Sequence, residues 1–241
     1  MTITTILLDL DNTLLGNSMT TFLPRYFAGL EQHFSQAVET PQVRHVMMKA
    51  VRSAQTQDTP ETNLYDHFLE DFSRRIGIST STTQNILNAF YRDIYPDLQQ
   101  YTTFYPEAQE IVQLLLNQGY KVVIATNPLF PATAIEQRLA WAGVQHFSYA
   151  LVTTMENSAF SKPDPNYYQE ILDKVESRPG ESWMVGNDPE NDIRPAHALG
   201  LKTWWIADDT KDTTAPFDKK GSLANFLAWI KQNRPLTFDW Q

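Results

Sequence analysis

Short apolar segments alternate with helix-like patterns along most of this chain. Residues 3–10 form a run of apolar and β-branched side chains that ends in acidic residues, which predicts a buried strand. Similar runs predict further strands at residues 121–125, 149–153, 182–185 and 202–206. The segments between them predict helices at residues 107–117, 131–142, 165–175 and 192–199, and Ser222 is placed to cap a last one. This alternation predicts an α/β fold of Rossmann-like type, with a doubly wound parallel sheet.

A long segment between the first strand and the rest of this pattern has no convincing strand. From about residue 18 to about residue 97, apolar side chains recur at helical spacing. The repeats are Phe22, Tyr26, Phe27 and Leu30, then Leu64, Phe68, Leu69 and Phe72, then Ile86, Leu87, Phe90 and Ile94. We therefore expect a catalytic core made of residues 1–16 and 105–241, interrupted by an all-helical insert at residues 17–104.

Composition and charge narrow the classes of function. Hydrophobic residues make up 42% of the 241 residues, which is typical of a folded chain with a sizeable core. The formal net charge of −9 disfavours general binding to nucleic acid or to anionic membranes. Cysteine is absent, which excludes disulfides and thiolate chemistry. The first residues lack the basic start of a secretory signal and no apolar run reaches membrane-spanning length, so the expected location is the cytoplasm.

Polar side chains that can carry chemistry follow the predicted strands. Because the carboxyl ends of parallel strands meet at one edge of a sheet, these side chains should converge on one crevice. No single one is persuasive, but their joint placement is what a catalytic site requires. They are Asp9 and Asp11 after the first strand, Thr126 and Asn127 after the second, Lys162 after the third, and Asn187, Asp188 and Asp192 after the fourth.

These residue types match the needs of phosphoryl transfer. Asp9 and Asp188 could hold Mg²⁺ together with the backbone carbonyl of Asp11, since hard oxygen ligands suit this cation. Lys162 can neutralise both a phosphate and a nucleophile, and Thr126, with nearby backbone amides, can bind phosphate oxygens. Asp11, two residues after Asp9, can serve as an acid to the leaving oxygen and then as a base for water.

The motifs resemble those of the haloacid dehalogenase-like hydrolases. The run Asp9-Leu10-Asp11-Asn12-Thr13 is similar to the first motif of that family, Thr126 to the second, Lys162 to the third and residues 186–192 to the acidic fourth. The resemblance covers about residues 3–16 and 105–206, and the helical insert stands where this family has its first type of cap domain. It implies that Asp9 is a nucleophile that forms an aspartyl-phosphate, that Asp11 is the general acid/base and that Mg²⁺ is the cofactor.

One departure from the family pattern concerns the metal. Many members have Gly-Asp at the start of the fourth motif, whereas this chain has Gly186-Asn187-Asp188. Either the amide oxygen of Asn187 takes the usual ligand position or Asp188 does, and we favour Asp188 slightly because it is charged. Asp192 would then orient Lys162 or a metal-bound water.

The expected activity is therefore hydrolysis of a small phosphorylated metabolite, with the cap as a lid over the site. Arg25, near the start of the insert, is a candidate contact for the leaving group. A dehalogenase has no need of Asp11 or of the acidic fourth motif, and a phosphonatase requires a cap lysine, for which Lys49 is the one candidate in the insert. A phosphomutase stays open, as does a non-enzymatic phospho-accepting protein such as a receiver domain, although a receiver has its acceptor after the third strand and about half this length.

Overall fold

Six strands form a single parallel sheet in the computed structural model, which describes residues 2–38, 42–56, 62–208 and 210–233. The order across the sheet is β5-β4-β1-β6-β7-β8, and every pairing is parallel. After β1, the chain adds β4 and β5 on one side of it and then β6, β7 and β8 on its other side. The direction of winding therefore reverses at β1. The strands are β1 Thr5–Leu8, β4 Lys121–Ile124, β5 Leu151–Val152, β6 Ser182–Gly186, β7 Lys202–Ile206 and β8 Lys219–Gly221. The prediction of a doubly wound α/β sheet is confirmed.

Helices cover both faces of this sheet, which explains why its central strands β1 and β6 are buried throughout. Leu7 packs in a cluster with side chains of α7 and α8, whereas Ile6 and Leu8 pack in a cluster with side chains of α5 and α9. All three are buried because successive side chains of a strand point to opposite faces. The helices of the core are α5 Pro106–Asn117, α6 Ala132–Trp141, α7 Pro165–Lys174, α8 Arg194–Leu199 and α9 Leu223–Gln232.

The insert between β1 and the remaining core folds as helices with a shared apolar centre. Its elements are α1 Met19–Ala37, α2 Val43–Gln55, α3 Leu64–Ile76, α4 Thr80–Asp93 and a 3₁₀ segment Tyr95–Tyr101. Aromatic rings dominate the interior, with Tyr26, Phe90 and Tyr95 meeting edge to face. Such pairs add to the hydrophobic stabilisation that the apolar stripes provide. We refer to residues 18–101 as the cap.

A short antiparallel ribbon, which the sequence analysis missed, joins the cap to the core. Its strands are β2 Leu15–Asn17 and β3 Thr102–Phe104. The close pairing leaves no room for a side chain at Gly16, where an added Cβ would lie 2.8 Å from Cβ of Thr103. Because β2 begins only a few residues after β1, the cap is attached directly beside the carboxyl end of the central strand.

Two other elements also differ from the predictions. Strand β8 has the sequence Lys-Lys-Gly and pairs at the sheet edge, where polar side chains are tolerated and no apolar run is needed. The helix predicted at residues 192–199 begins at Arg194 and is preceded by a π-helical turn, Pro189–Ile193. Within the described residues, no helix combines the length and the apolar character that crossing a membrane requires.

Candidate active site

All eight side chains that the sequence analysis singled out line one cavity of about 310 Å³ at the carboxyl end of the sheet. Parallel strands deliver them there because each follows the end of its own strand. Cap residues Met19 and Leu23 complete the wall on the opposite side. The eight are Asp9, Asp11, Thr126, Asn127, Lys162, Asn187, Asp188 and Asp192.

The loop after β1 is held in a tight turn that presents two carboxylates to this cavity. The backbone N–H of Asp9 donates to the carbonyl of Val185 at 2.9 Å, which ties the exit of β1 to β6. The carbonyl of Leu10 then accepts hydrogen bonds from the N–H groups of Thr13, Leu14 and Leu15. The turn therefore separates Asp9, buried at the strand end, from Asp11 at the cavity wall.

Lys162 lies between two buried carboxylates. Its ammonium donates to Oδ1 of Asp9 at 2.8 Å and to Oδ1 of Asp192 at 2.6 Å. The other oxygen of Asp9 accepts a hydrogen bond of 2.9 Å from the hydroxyl of Thr13. All three charged groups are nearly inaccessible to water, at 6% exposure for Asp9, 2% for Lys162 and 1% for Asp192. The lysine thus offsets the negative charge of both carboxylates.

Burial and neighbouring charge raise the pKa values of both Asp9 and Lys162. Burial raises the pKa of Asp9 to about 7, against the opposing pull of Lys162. Burial alone would lower the pKa of Lys162, but Asp192 and Asp9 hold it well above the usual lysine value. Lys162 is therefore charged. The ionised form of Asp9 is destabilised because it is buried away from water, and a further positive charge nearby would stabilise it.

The contacts of Asp192 explain why residue 186 is a glycine. Its Oδ2 accepts from the backbone N–H of Asp188 at 2.9 Å, and its side chain lies directly against Gly186. A Cβ added at Gly186 would lie 2.3 Å from Oδ2 of Asp192, which no real contact permits. The last position of β6 therefore requires glycine so that Asp192 can approach Lys162.

Asp188 and Asn187, the two alternative metal ligands, differ in the partners of their side-chain oxygens. The Oδ1 atom of Asp188 accepts from the backbone N–H groups of Glu190 and Asn191, and its Oδ2 accepts from the side-chain amide of Asn191. Both oxygens are thus engaged in capping the turn that follows. Asn187 instead has its amide oxygen 3.4 Å from the hydroxyl of Thr13, beside Asp9.

The donor atoms at this position fit a small, hard cation. No group of three or more His, Cys, Asp or Glu side chains suited to a metal occurs in the part of the chain that the structure describes. Among the residues that line the cavity, Asp9 offers a carboxylate and Asn187 an amide oxygen, and the sequence analysis adds the backbone carbonyl of Asp11 as a candidate ligand. Mg²⁺ typically binds through one or two carboxylates and retains several waters, so this sparse oxygen set suits it better than a metal that needs a full protein cage.

Thr126 and Asn127 form the part of the wall that follows β4. The backbone carbonyl of Thr126 accepts from the hydroxyls of Thr153 and Tyr167 at 2.7 and 2.8 Å, which fixes the turn. The amide oxygen of Asn127 is buried and has no hydrogen-bond partner among the described residues. An unpaired buried polar group in a cavity costs free energy that a bound polar ligand or water can recover.

Arg138, which the sequence analysis missed, forms an ion pair with Asp11. Its Nη1 donates to Oδ2 of Asp11 at 2.5 Å and its Nε donates to the hydroxyl of Tyr95 at 2.8 Å. The guanidinium also lies 3.9 Å from the ring centroid of Phe130 and is 1% exposed. The other oxygen of Asp11 accepts from the amide of Asn17 at 2.9 Å. Both oxygens of Asp11 are therefore held, one by β2 and one by a buried arginine of α6.

Two cap residues considered from the sequence lie away from the cavity. Arg25 is exposed and its guanidinium lies 5.5 Å from the ring centroid of Tyr101, so the expectation that it contacts the leaving group is wrong. Its position on α1 directs it to solvent, while Leu23 on the same helix faces the site. Lys49 is exposed as well and does not line the cavity, which removes the support for a phosphonatase lysine.

Comparisons with known proteins agree with this arrangement. The family model for haloacid dehalogenase-like hydrolases matches residues 3–200. A phosphoserine phosphatase of Thermus thermophilus is 24% identical over 227 residues, covering 83% of this chain and 87% of that protein. The pyrophosphatase PpaX of Bacillus cereus is 28% identical over 205 residues, covering 84% and 82%.

A solved structure shares the fold across its full length. The HAD phosphatase of Thermococcus onnurineus superposes with a TM-score of 0.60 at 18% identity, covering 96% of this chain and all of that one. The family match includes the first strand, the whole cap and the strand ends that carry Thr126, Lys162 and Asp192. The chain therefore belongs to the haloacid dehalogenase-like hydrolases.

Proposed function

We propose that this protein is a Mg²⁺-dependent phosphatase that hydrolyses a small phosphate monoester through an aspartyl-phosphate on Asp9. The observation that carries the proposal is the buried cluster of Asp9, Lys162 and Asp192 at the end of the central strand, with N–O distances of 2.8 and 2.6 Å. The names of the relatives from Thermus thermophilus and Bacillus cereus, both phosphatases acting on phosphorylated compounds, support the same reaction class.

In the first half of the reaction, a carboxylate oxygen of Asp9 attacks phosphorus and the bond from phosphorus to the ester oxygen breaks. Protonated Asp11 gives its proton to that oxygen, so the alcohol leaves neutral. Lys162 offsets the charge on the transferring phosphoryl group, and Thr126 and Asn127 bind its outer oxygens. A bound Mg²⁺, held by Asp9, Asn187 and the backbone carbonyl of Asp11, would supply additional charge neutralisation.

In the second half, water replaces Asp9 on phosphorus. The Asp11 carboxylate takes a proton from the water, whose oxygen forms the new bond to phosphorus while the acyl-phosphate bond breaks. Inorganic phosphate leaves and the Asp9 carboxylate is restored. Asp11 must therefore reach both the leaving oxygen and the incoming water, which makes its orientation decisive.

The metal requirement tests this proposal. Removal of divalent cations with EDTA should abolish hydrolysis of p-nitrophenyl phosphate, and added Mg²⁺ should restore it. Because burial raises the pKa of Asp9 to about 7, protons compete with the cation below that pH. The Mg²⁺ concentration for half-maximal activity should therefore rise by about fivefold as pH falls from 7 to 6.

Two neighbouring substitutions locate the ligand in the same titration. Asn187→Ala should raise the Mg²⁺ requirement more than Asp188→Ala, because the oxygens of Asp188 are already engaged by its own turn. The reverse order would assign the ligand to Asp188. Full activity in EDTA would contradict the metal-dependent mechanism itself.

Arg138 should act as a positioning residue for Asp11. Arg138→Met removes the 2.5 Å contact to Asp11, so kcat for an alkyl phosphate should fall by about tenfold to a hundredfold, with little change in KM. Arg138→Lys keeps a charge in this buried position and should recover part of the loss. Because Arg138 is buried, its replacement can also destabilise the fold. Measuring the thermal unfolding of both variants distinguishes a loss of folded protein from a loss of catalysis.

The alternative for Arg138 is direct contact with substrate. Its Nη2 atom is buried and has no hydrogen-bond partner within the part of the chain that the structure describes, so it has the capacity to bind an anionic oxygen. A raised KM with unchanged kcat in Arg138→Met would assign it that role and would contradict positioning of Asp11.

A further inference from the structure

A second cavity lies between the cap and the core, next to the active-site cavity. Its volume is about 480 Å³, within the range of small-molecule binding pockets. Hydrocarbon and aromatic side chains make up most of its lining, including Met47, Met48, Val51, Phe68 and Leu87 from the cap. We call this cavity the apolar chamber.

The apolar chamber adjoins the catalytic residues. It shares Leu23, Leu129 and Phe130 with the active-site cavity, so the two spaces meet at these side chains. The same helix α2 that lines the chamber also touches the core beside Lys162, where the amide of Gln55 donates to the hydroxyl of Ser161 at 3.2 Å. A phosphate ester bound at Asp9 could therefore extend its alcohol part past Phe130 into the chamber.

The charges around the chamber favour an anionic ester with an apolar body. Among its described lining residues, the charged ones are Arg44 and Arg52, with no carboxylate. Both arginines are exposed, so they lie where the chamber meets solvent and give its mouth a positive field in a chain of net charge −9. A small polar alcohol would leave its hydroxyl or amino groups unpaired against hydrocarbon, which is costly.

We propose that the chamber binds the alcohol part of the substrate and that the preferred substrates are phosphate monoesters with a bulky hydrocarbon or aromatic body. This inference rests on the proposed phosphatase function, because the phosphate is assigned to Asp9. It adds a substrate class that the relatives' names do not suggest, since phosphoserine and pyrophosphate are small and polar.

A series of alkyl phosphates tests the chamber without changing the leaving group's chemistry. Ethyl, butyl, hexyl and 2-phenylethyl phosphate all release primary alcohols of similar acidity, so differences in kcat/KM report binding of the alkyl part. Each buried methylene should raise kcat/KM by up to about fourfold, and hexyl phosphate should exceed ethyl phosphate by at least about tenfold. Calorimetric titration of ethyl- and hexylphosphonate, with Mg²⁺ present, provides a binding measurement that does not need turnover.

Substitutions on one helix connect the preference to the chamber. Val51→Trp should fill the space and remove the advantage of hexyl phosphate, while turnover of ethyl phosphate should stay within about threefold of the parent. Met48→Gln, at a side chain that is 53% exposed and therefore safe for folding, should reduce the advantage in the same direction. Lys49→Gln is the matched control, because Lys49 is exposed on the same helix and does not line the chamber.

The outcomes separate the two proposals. Equal kcat/KM for ethyl and hexyl phosphate, with equal affinity for the two phosphonates, would overturn the chamber as an alcohol site and leave the phosphatase proposal intact. A hexyl preference that survives Val51→Trp would also overturn it. Failure to hydrolyse any ester in the presence of Mg²⁺ would overturn the proposed function and this inference together.

Discussion

Asp9→Asn should reduce the rate of phosphate-ester hydrolysis by at least about 10⁴-fold, because loss of a covalent nucleophile removes the only route to the intermediate. The amide is nearly isosteric with the carboxylate but is a poor nucleophile. It can still accept from Lys162, which keeps its second partner Asp192 at 2.6 Å. The fold should therefore survive, and the midpoint of thermal unfolding should change by only a few degrees.

The control for this substitution is a carboxylate of the same kind outside the site. Asp173→Asn changes an exposed residue of α7 whose carboxylate accepts a hydrogen bond from Gln169. It should leave kcat and KM unchanged for every ester. Activity of Asp9→Asn within a few-fold of the parent protein, measured on protein free of deamidated material, would refute the assignment of the nucleophile.

Asp11→Asn should have the second largest effect, and its size should depend on the alcohol that leaves. An alkyl alcohol is a poor leaving group that needs a proton, so hydrolysis of an alkyl phosphate should fall by about 10²- to 10⁴-fold. p-Nitrophenolate leaves without protonation, so formation of the intermediate from p-nitrophenyl phosphate should be affected much less. The measurement is a rapid-mixing experiment that records the first release of p-nitrophenol separately from steady-state turnover.

The same variant should accumulate the phosphorylated enzyme, because the base that activates water is also lost. We expect an initial burst of about one molecule of p-nitrophenol per enzyme molecule, followed by slow turnover. Equal losses on both esters, with no burst, would argue against the dual role of Asp11 as acid and base.

Much of the catalytic site could be predicted from sequence because parallel strands place their carboxyl ends at one edge. Asp9, Lys162 and Asp192 are far apart along the chain, yet each follows an apolar run that predicts a strand. The strand order need not be known for these side chains to converge, since any doubly wound arrangement brings them to the same crevice. The pattern of apolar segments therefore predicted the parallel sheet and the convergence of these side chains at its carboxyl end.

Features that depend on long-range packing or on backbone detail could not be predicted in this way. Arg138 stands 127 positions from Asp11, and an arginine on an amphipathic helix is normally solvated. Only the packed structure shows that it is buried beneath Phe130 and paired with Asp11. Likewise, the engagement of Asp188 in capping depends on how the turn after β6 folds, and the residue types alone favour the charged side chain as a ligand.

The short strands β2 and β3 were not predicted for a related reason: they lack a clear apolar pattern. Strands β2 and β3 have three residues each, and β3 is largely exposed. Their pairing is determined by the return of the chain from the cap and by the close approach at Gly16, not by a local hydrophobic pattern. The ribbon nevertheless matters for function, because Asn17 in β2 holds one oxygen of Asp11.

Chemical identification of the phosphorylated residue tests the central claim most directly. Asp11→Asn protein would be mixed with p-nitrophenyl phosphate and Mg²⁺, quenched, and treated with borohydride, which reduces an acyl phosphate of aspartate to homoserine. Mass spectrometry of the peptide that contains the first strand should then show homoserine at position 9, in proportion to the burst of p-nitrophenol and absent without substrate. Unmodified Asp9 in a sample that has released a full burst, or modification at another residue, would contradict the account.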